Sequence, residues 1–143
     1  MGRTVQIVFD AADTVRIGDF WADALGYVVE PPPPGFDSWP DALRAWKVPE
    51  EDWDTKNAIV DPDGIGPRIF LQKVPEAKSV KNRLHLDIRV SDPAASPEER
   101  DAAVLAEVGR LEAAGGRRLE WRLEMGKHFM VMQDPEGNEF CVT

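Results

Sequence analysis

Hydrophobic and polar positions alternate with two different periods along this chain, and the alternation marks out its elements. Residues 4–10 place Val5, Ile7 and Phe9 on one side and Gln6, Val8 and Asp10 on the other, the period of a strand. Asp13 stands where a helix cap belongs, and Ile17, Phe20, Trp21, Ala24 and Leu25 recur at helical spacing until Gly26 stops the run. The four prolines at 31–34 remove four backbone donors and predict an extended or turning loop. Residues 38–47 predict a short helix with Ser38 or Trp39 near its cap and Pro40 in its first turn. Strands over 57–60 and 68–74 flank the turn Asp61-Pro62-Asp63-Gly64, and 75–81 reads as a polar linker.

The second half repeats this order. Over residues 84–90 apolar side chains alternate with His85, Asp87 and Arg89. Ser96-Pro97-Glu98-Glu99 has the form of a capping box, opening a helix that turns Val104, Leu105, Val108 and Leu111 inward and ends at Gly115-Gly116. Strands over 117–123, 127–133 and 138–142 follow, the last two joined by the turn Asp134-Pro135-Glu136-Gly137. Laying Gln6 on His85 matches Val5, Ile7 and Phe9 to Leu84, Leu86 and Ile88, and Val8 and Asp10 to Asp87 and Arg89. The pattern is a duplication of a βαβββ unit within one domain spanning 1–143. Module one covers about 1–75, with a Pro/Trp-rich insertion at 31–53, and module two about 82–143.

Composition narrows the function. Of 143 residues, 17 are Lys or Arg and 26 are Asp or Glu, a net charge of −9. That acid surplus argues against nucleic-acid binding, which needs cations to neutralise phosphates. No apolar run approaches the roughly 18 residues of a membrane span. The chain enters a strand pattern at once, without a leader-like apolar stretch, and Cys141 is its single cysteine. A cytoplasmic location is therefore expected.

Three segments carry a resemblance: Asp19-Phe20-Trp21 with Leu25-Gly26-Tyr27, Arg83-Leu84-His85-Leu86-Asp87, and Asp134 through Cys141. In this order they make the chain similar to the vicinal oxygen chelate superfamily, in its glyoxalase-like, bleomycin-resistance-like branch. The resemblance implies an α+β fold whose two βαβββ modules form a cup-shaped mixed sheet. It also implies a divalent metal (zinc, nickel, iron or manganese) held by His or Gln, Glu, His and Glu, polarising two neighbouring substrate oxygens. Carried over residue by residue, Gln6 falls on the first ligand position, His85 on the third and Cys141 on the fourth, in place of a carboxylate. The second position falls on Phe70, which has no donor; a register shifted by two would substitute Gln72.

Each candidate has a chemical and a structural reading. His85 is a ligand or a hydrogen-bonded pocket-lining residue, and Asp87 orients an imidazole, completes a site or pairs with Arg89. His128 shares a strand face with Met130 and Met132; with Glu124 it would supply a catalytic base and acid, or it is a surface-edge residue. Cys141 is a thiolate ligand or a small buried hydrophobe. Trp39, Trp46 and Trp53 recur at spacing seven, as an aromatic lid over the cup or as a satellite packing cluster. Trp21 and Trp121 read as core. The ligand-lining set is Gln6, Val8, Trp39, Trp46, Phe70, Asp87 and Met130.

Three functions follow. One is a small-molecule binding protein with a degenerate metal site and an apolar or aromatic ligand. The second is a metal-dependent lyase, isomerase or dioxygenase-type enzyme acting on a carbonyl substrate. The third is a homodimeric interaction module built through a sheet edge or the Trp-rich insertion. The incomplete ligand set favours the first.

Overall fold

The structure is a computed structural model that describes residues 2–143. The chain divides into two compact units, one ending at Ala77 and the other spanning Lys78–Thr143, so the boundary falls inside the polar segment 75–81. The first unit runs β1 (Ile7–Ala11), α1 (Thr14–Leu25), β2 (Val28–Val29), α2 (Trp39–Ala45), a 3-10 turn (Glu50–Asp52), β3 (Lys56–Val60) and β4 (Ile69–Lys73). The second runs β5 (Asp87–Ile88), α3 (Pro97–Ala113), β6 (Arg117–Glu124), β7 (Lys127–Gln133) and β8 (Glu139–Val142). The sheet orders are β1-β4-β3-β2 and β5-β8-β7-β6. In each, the first strand runs parallel to the last and the remaining pairs are antiparallel. The α+β fold of two βαβββ units is thus present, and the duplication extends to topology.

Local chemistry explains the helices. Asp13 Oδ1 accepts from the Val15 and Arg16 amides at 3.1 and 3.0 Å, and Gly26 closes α1 at φ 69°, where a side chain would be strained. The stripe Ile17, Phe20 and Trp21 is buried, and Trp21 meets Phe9 edge-on at 5.3 Å. In α3 the capping box of Ser96 and Glu99 forms, and Val104, Val108 and Leu111 are buried. Leu105 is 46% exposed instead of inward, because one residue past Val104 is a rotation of about 100° off the stripe. The two acidic turns are built alike. Asp61 accepts from the amides of Asp63, Ile65 and Gly66, and Asp134 from those of Glu136 and Asn138.

Other elements depart from the expected pattern. β1 begins at Ile7, opposite Ile69, and Val5 is left exposed. β2 has two residues, too few to leave a periodic signal. The alternating run 84–90 contributes Asp87 and Ile88 to the ladder. At its start Asn82 uses its side chain to reach the Glu139 carbonyl and its amide to reach the Glu139 carboxylate, in place of strand pairing. The spacing-seven tryptophans do not share one helix: α2 ends at Ala45 and Lys47 turns at φ 57°. Trp21 is core at 2% exposure, whereas Trp121 is 37% exposed on an edge strand.

Candidate functional site

In the first unit, the sheet face turned away from α1 carries Ala58 on β3 with Arg68 and Phe70 at β4, since Phe70 pairs with Ala58 on one side and Val8 on the other. The 31–53 insertion folds over this face. Trp39 donates from Nε1 to the Glu30 carbonyl at 2.7 Å, and Trp53 donates from Nε1 to the Val48 carbonyl at 3.0 Å. Both indoles are thereby fixed by their polar edge, leaving their rings to form walls. Trp46 packs edge-on against Trp39 at 6.4 Å and Phe36 at 5.7 Å while remaining 52% exposed. A pocket of about 700 Å³ results, lined by Trp39, Trp46, Trp53 and Phe70 with Glu30 and Arg68. That volume is in the range of small-molecule sites.

Its polar element is a fork. Arg68 donates from Nε and Nη2 to the two Glu30 oxygens, both at 2.7 Å, and from Nη1 to Gln6 Oε1 at 2.9 Å. Its guanidinium also lies 5.4 Å from the Phe70 ring centre. Hydrogen bonding to Glu30 raises the Arg68 pKa above its ordinary value, against the opposing effect of burial. Glu30 is the organising residue, holding Trp39 through its carbonyl and Arg68 through its carboxylate. Val8 is opposite Phe70 in the ladder and 49% exposed, outside the pocket lining.

The second unit carries different chemistry at the equivalent place. Asp87 pairs with Cys141 across β5 and β8, as Val8 pairs with Phe70 in the first unit. This matched register assigns the second ligand position to Phe70 rather than Gln72. His85, Asp87 and Cys141 come together, their donor atoms all within 4.8 Å of one another, with His85 Nδ1 3.4 Å from Asp87 Oδ1. Burial, then the neighbouring Asp87 carboxylate, push the Cys141 thiol up to about 11.

The remaining expected residues separate. Met130 is buried at 3% exposure, on the β7 face that also carries His128 and packs against α3. His128 hydrogen-bonds through Nδ1 to Asp101 Oδ2 on α3 at 2.8 Å and stacks on Trp121 at 5.0 Å. Glu124 pairs with Lys127 in the ladder, one position along, so its side chain leaves the opposite face of the sheet. The expected acid–base pair of Glu124 and His128 is therefore not assembled, and Met130 is core rather than ligand lining. Sequence reasoning missed Glu30 and Arg68, while Trp53 was expected with Trp39 and Trp46 in the aromatic cluster. The period-two step from Arg68 to Phe70 was the available signal for one of them.

The four-ligand metal set implied by the resemblance does not fit these residues. Phe70 offers no donor, and the Gln6 amide oxygen is occupied by the Arg68 cation. His85 and Cys141, on the third and fourth positions, come together with Asp87 as a three-donor group within the second unit.

A family model described as a glyoxalase-like domain matches residues 6–143. The chain belongs to this glyoxalase-like family. A search of curated proteins finds no significant match. A glyoxalase/bleomycin resistance protein/dioxygenase family enzyme from Burkholderia phytofirmans PsJN is 15% identical with TM-score 0.61, over 96% of this chain and 94% of that one. The fosfomycin resistance protein FosX from Listeria monocytogenes, solved with Mn(II) and 1S,2S-dihydroxypropylphosphonic acid, is 11% identical with TM-score 0.60, over 99% and 89%. Lactoylglutathione lyase from Agrobacterium tumefaciens is 13% identical with TM-score 0.56, over 99% and 92%. These likenesses are of fold. Among the described residues no helix is long and apolar enough to cross a membrane.

Proposed function

We propose that the protein binds a flat, largely apolar or aromatic small molecule in the first unit. The observation that carries this reading is the pocket of about 700 Å³ walled by Trp39, Trp46, Trp53 and Phe70. Two of the indoles are pinned through their ring nitrogens, so the walls are set before a ligand arrives and less ordering entropy is lost on binding. The Arg68–Glu30 fork supplies a directional polar contact at the pocket's edge. Titration with a panel of planar aromatic compounds, read by tryptophan fluorescence, tests the proposal. Saturable quenching by some members is expected, with Trp46→Ala weakening them about tenfold, the loss of one aromatic contact of the stronger kind. A flat response across the panel would reject it.

A second reading, a metal-dependent lyase or isomerase, is favoured by one observation, the grouping of His85, Asp87 and Cys141. Imidazole, carboxylate and thiol together are a donor set suited to zinc. Elemental analysis after dialysis against zinc, nickel, iron and manganese separates the readings. Near-stoichiometric metal that disappears in His85→Ala supports the enzyme; no uptake from any of the four removes it.

A further inference from the structure

We propose that Glu30 sets the charge specificity of the aromatic pocket. It occupies the Arg68 guanidinium as a ligand carboxylate would, so the pocket accepts a flat molecule carrying an uncharged acceptor and excludes the corresponding anion. This inference rests on the reading of the pocket as a small-molecule site and names the class of molecule it takes. Arg68 Nε and Nη2 each donate to one Glu30 oxygen at 2.7 Å. That is the two-pronged geometry in which arginine holds carboxylates most strongly. An anion entering the pocket meets a cation whose recognition edge is already filled.

The occupant is tethered. Both backbone groups of Glu30 are committed: its amide donates to the Ala58 carbonyl at 2.9 Å, and its carbonyl accepts from Trp39 Nε1 at 2.7 Å. Pro31 follows, the first of four prolines whose rings fix φ. Arg68 is fixed as well. Its Nη1 donates to Gln6 Oε1 at 2.9 Å, its carbonyl accepts from the Ile7 amide at 3.2 Å, and its guanidinium lies against the Phe70 ring. The Glu30 and Arg68 side chains are 27% and 34% exposed, so the pair is partly withdrawn from water and weakly screened. Displacing Glu30 would break two charge-assisted bonds and leave its carboxylate beside the incoming one, two acids facing a single cation. An uncharged acceptor meets neither cost. A guanidinium has five N–H groups, of which three are taken here among the described residues. The other two serve a carbonyl or amide oxygen without moving Glu30.

The charges around the pocket agree with this assignment. Its lining holds Arg68 and Lys56 against Glu30, Asp19 and Asp52, a surplus of one acid. Cancelling the Glu30 charge balances the lining and frees the guanidinium that lies on an aromatic wall. Because Trp39 is held by the backbone carbonyl of Glu30, changing that side chain leaves the wall's anchor in place. The reciprocal holds for Arg68, whose removal leaves the Glu30 carboxylate free to receive a cation.

Calorimetric titration of the full chain with three near-isosteres, naphthamide, naphthoate and naphthylmethylammonium, tests this. The parent chain should bind naphthamide about tenfold more tightly than naphthoate, the cost of displacing a charge-assisted pair. In Glu30→Gln the ratio of naphthoate to naphthamide affinity should rise about tenfold, as the freed fork takes the ligand carboxylate. In Arg68→Gln that ratio should not rise, and the ratio of naphthylmethylammonium to naphthamide affinity should rise about tenfold instead. Ratios are read within each variant, so a change in the pocket's overall affinity does not enter. If one variant fails to fold, the other decides. Naphthamide bound with both ratios unmoved overturns the inference and leaves the small-molecule reading standing. No binding of any of the three by the parent or either variant rejects that reading, and the inference with it. A parent chain that prefers naphthoate shows that anions displace Glu30, and overturns the proposal.

Discussion

The two units share a topology and differ in what they place on it. Residues 1–77 carry 7 Lys or Arg against 14 Asp or Glu, while residues 78–143 carry 10 against 12. Where the first unit pairs Val8 with Phe70, the second pairs Asp87 with Cys141. The first covers its sheet with an aromatic insertion and keeps its outer strand at two residues; the second has no such insertion and extends that strand to eight. Backbone pairing and the buried face hold the fold, because a register slip would turn every apolar side chain outward. The other face is free of that demand, and there the two copies have parted.

If the shared part is the buried face, equivalent core positions should matter in both units. Ile69 and Phe140 occupy the same place in the two ladders, each one residue before the site position, and are 1% and 0% exposed. Ile69→Ala should cost about 2–5 kcal/mol and Phe140→Ala about 3–5 kcal/mol, read from urea unfolding midpoints. A loss below about 1 kcal/mol at either position would break the equivalence.

The divergent part predicts an asymmetry at Cys141. With its pKa pushed up to about 11, the thiol should react with iodoacetamide at pH 8 about 100-fold more slowly than an ordinary cysteine, two pKa units being two decades of thiolate. The folded chain holds this proton more tightly than the unfolded chain does. Its contribution to stability is therefore complete below about pH 9, the ordinary thiol value, and is lost as pH rises from there towards 11. Rapid alkylation at pH 8 in the folded state would show the thiol to be accessible and ionised.

The paired turns set a subtler test. Asp134 is 4% exposed and also receives both bonds of the Asn138 side-chain amide, at 3.0 and 2.9 Å, so Asp134→Asn leaves buried donors mismatched at about 1–3 kcal/mol. Asp61 is nearer solvent, its carboxyl held below the ordinary value by the amides of Gly66 and Asp63. Its contribution is present above the ordinary carboxylate range and is lost as pH falls through the lowered pKa. Asp61→Asn should therefore lower stability near pH 7, where that contribution is complete, and so flatten the acid limb of a thermal-stability profile, with little change at the acid end.

Both turns were legible because Asp, Pro and Gly do local work that needs no tertiary partner, and so were the caps of Asp13 and Ser96. The helix stripes and the duplication were legible for the same reason of period. What escaped was set by distant neighbours. Leu84 alternates as a strand residue should, yet the Asn82 side chain reaches the Glu139 carbonyl and the ladder begins at Asp87. His128 and Glu124 looked like partners on a hairpin, but hairpin register, read as opposite faces, parted them. Glu30 next to a proline run gave no hint that it would grip an arginine 38 residues on.

The charge difference between the units yields the smallest effect. Glu30 and Arg68 neutralise one another at the aromatic pocket, leaving Asp19 and Asp52 against Lys56 among its lining residues. The first unit as a whole has twice as many acids as bases, and a field of that sign raises the local concentration of cations. A planar cationic dye should therefore bind about threefold more tightly than an uncharged isostere at low salt. The preference should shrink at molar salt, where the screening length falls to about 3 Å. Asp52→Asn should reduce the preference and leave the neutral dye unaffected, because that side chain contributes field rather than wall. An anionic isostere binding more tightly than either would show that the Arg68 fork opens to receive ligand, and that the pocket reads charge through one side chain rather than through the unit's acidity.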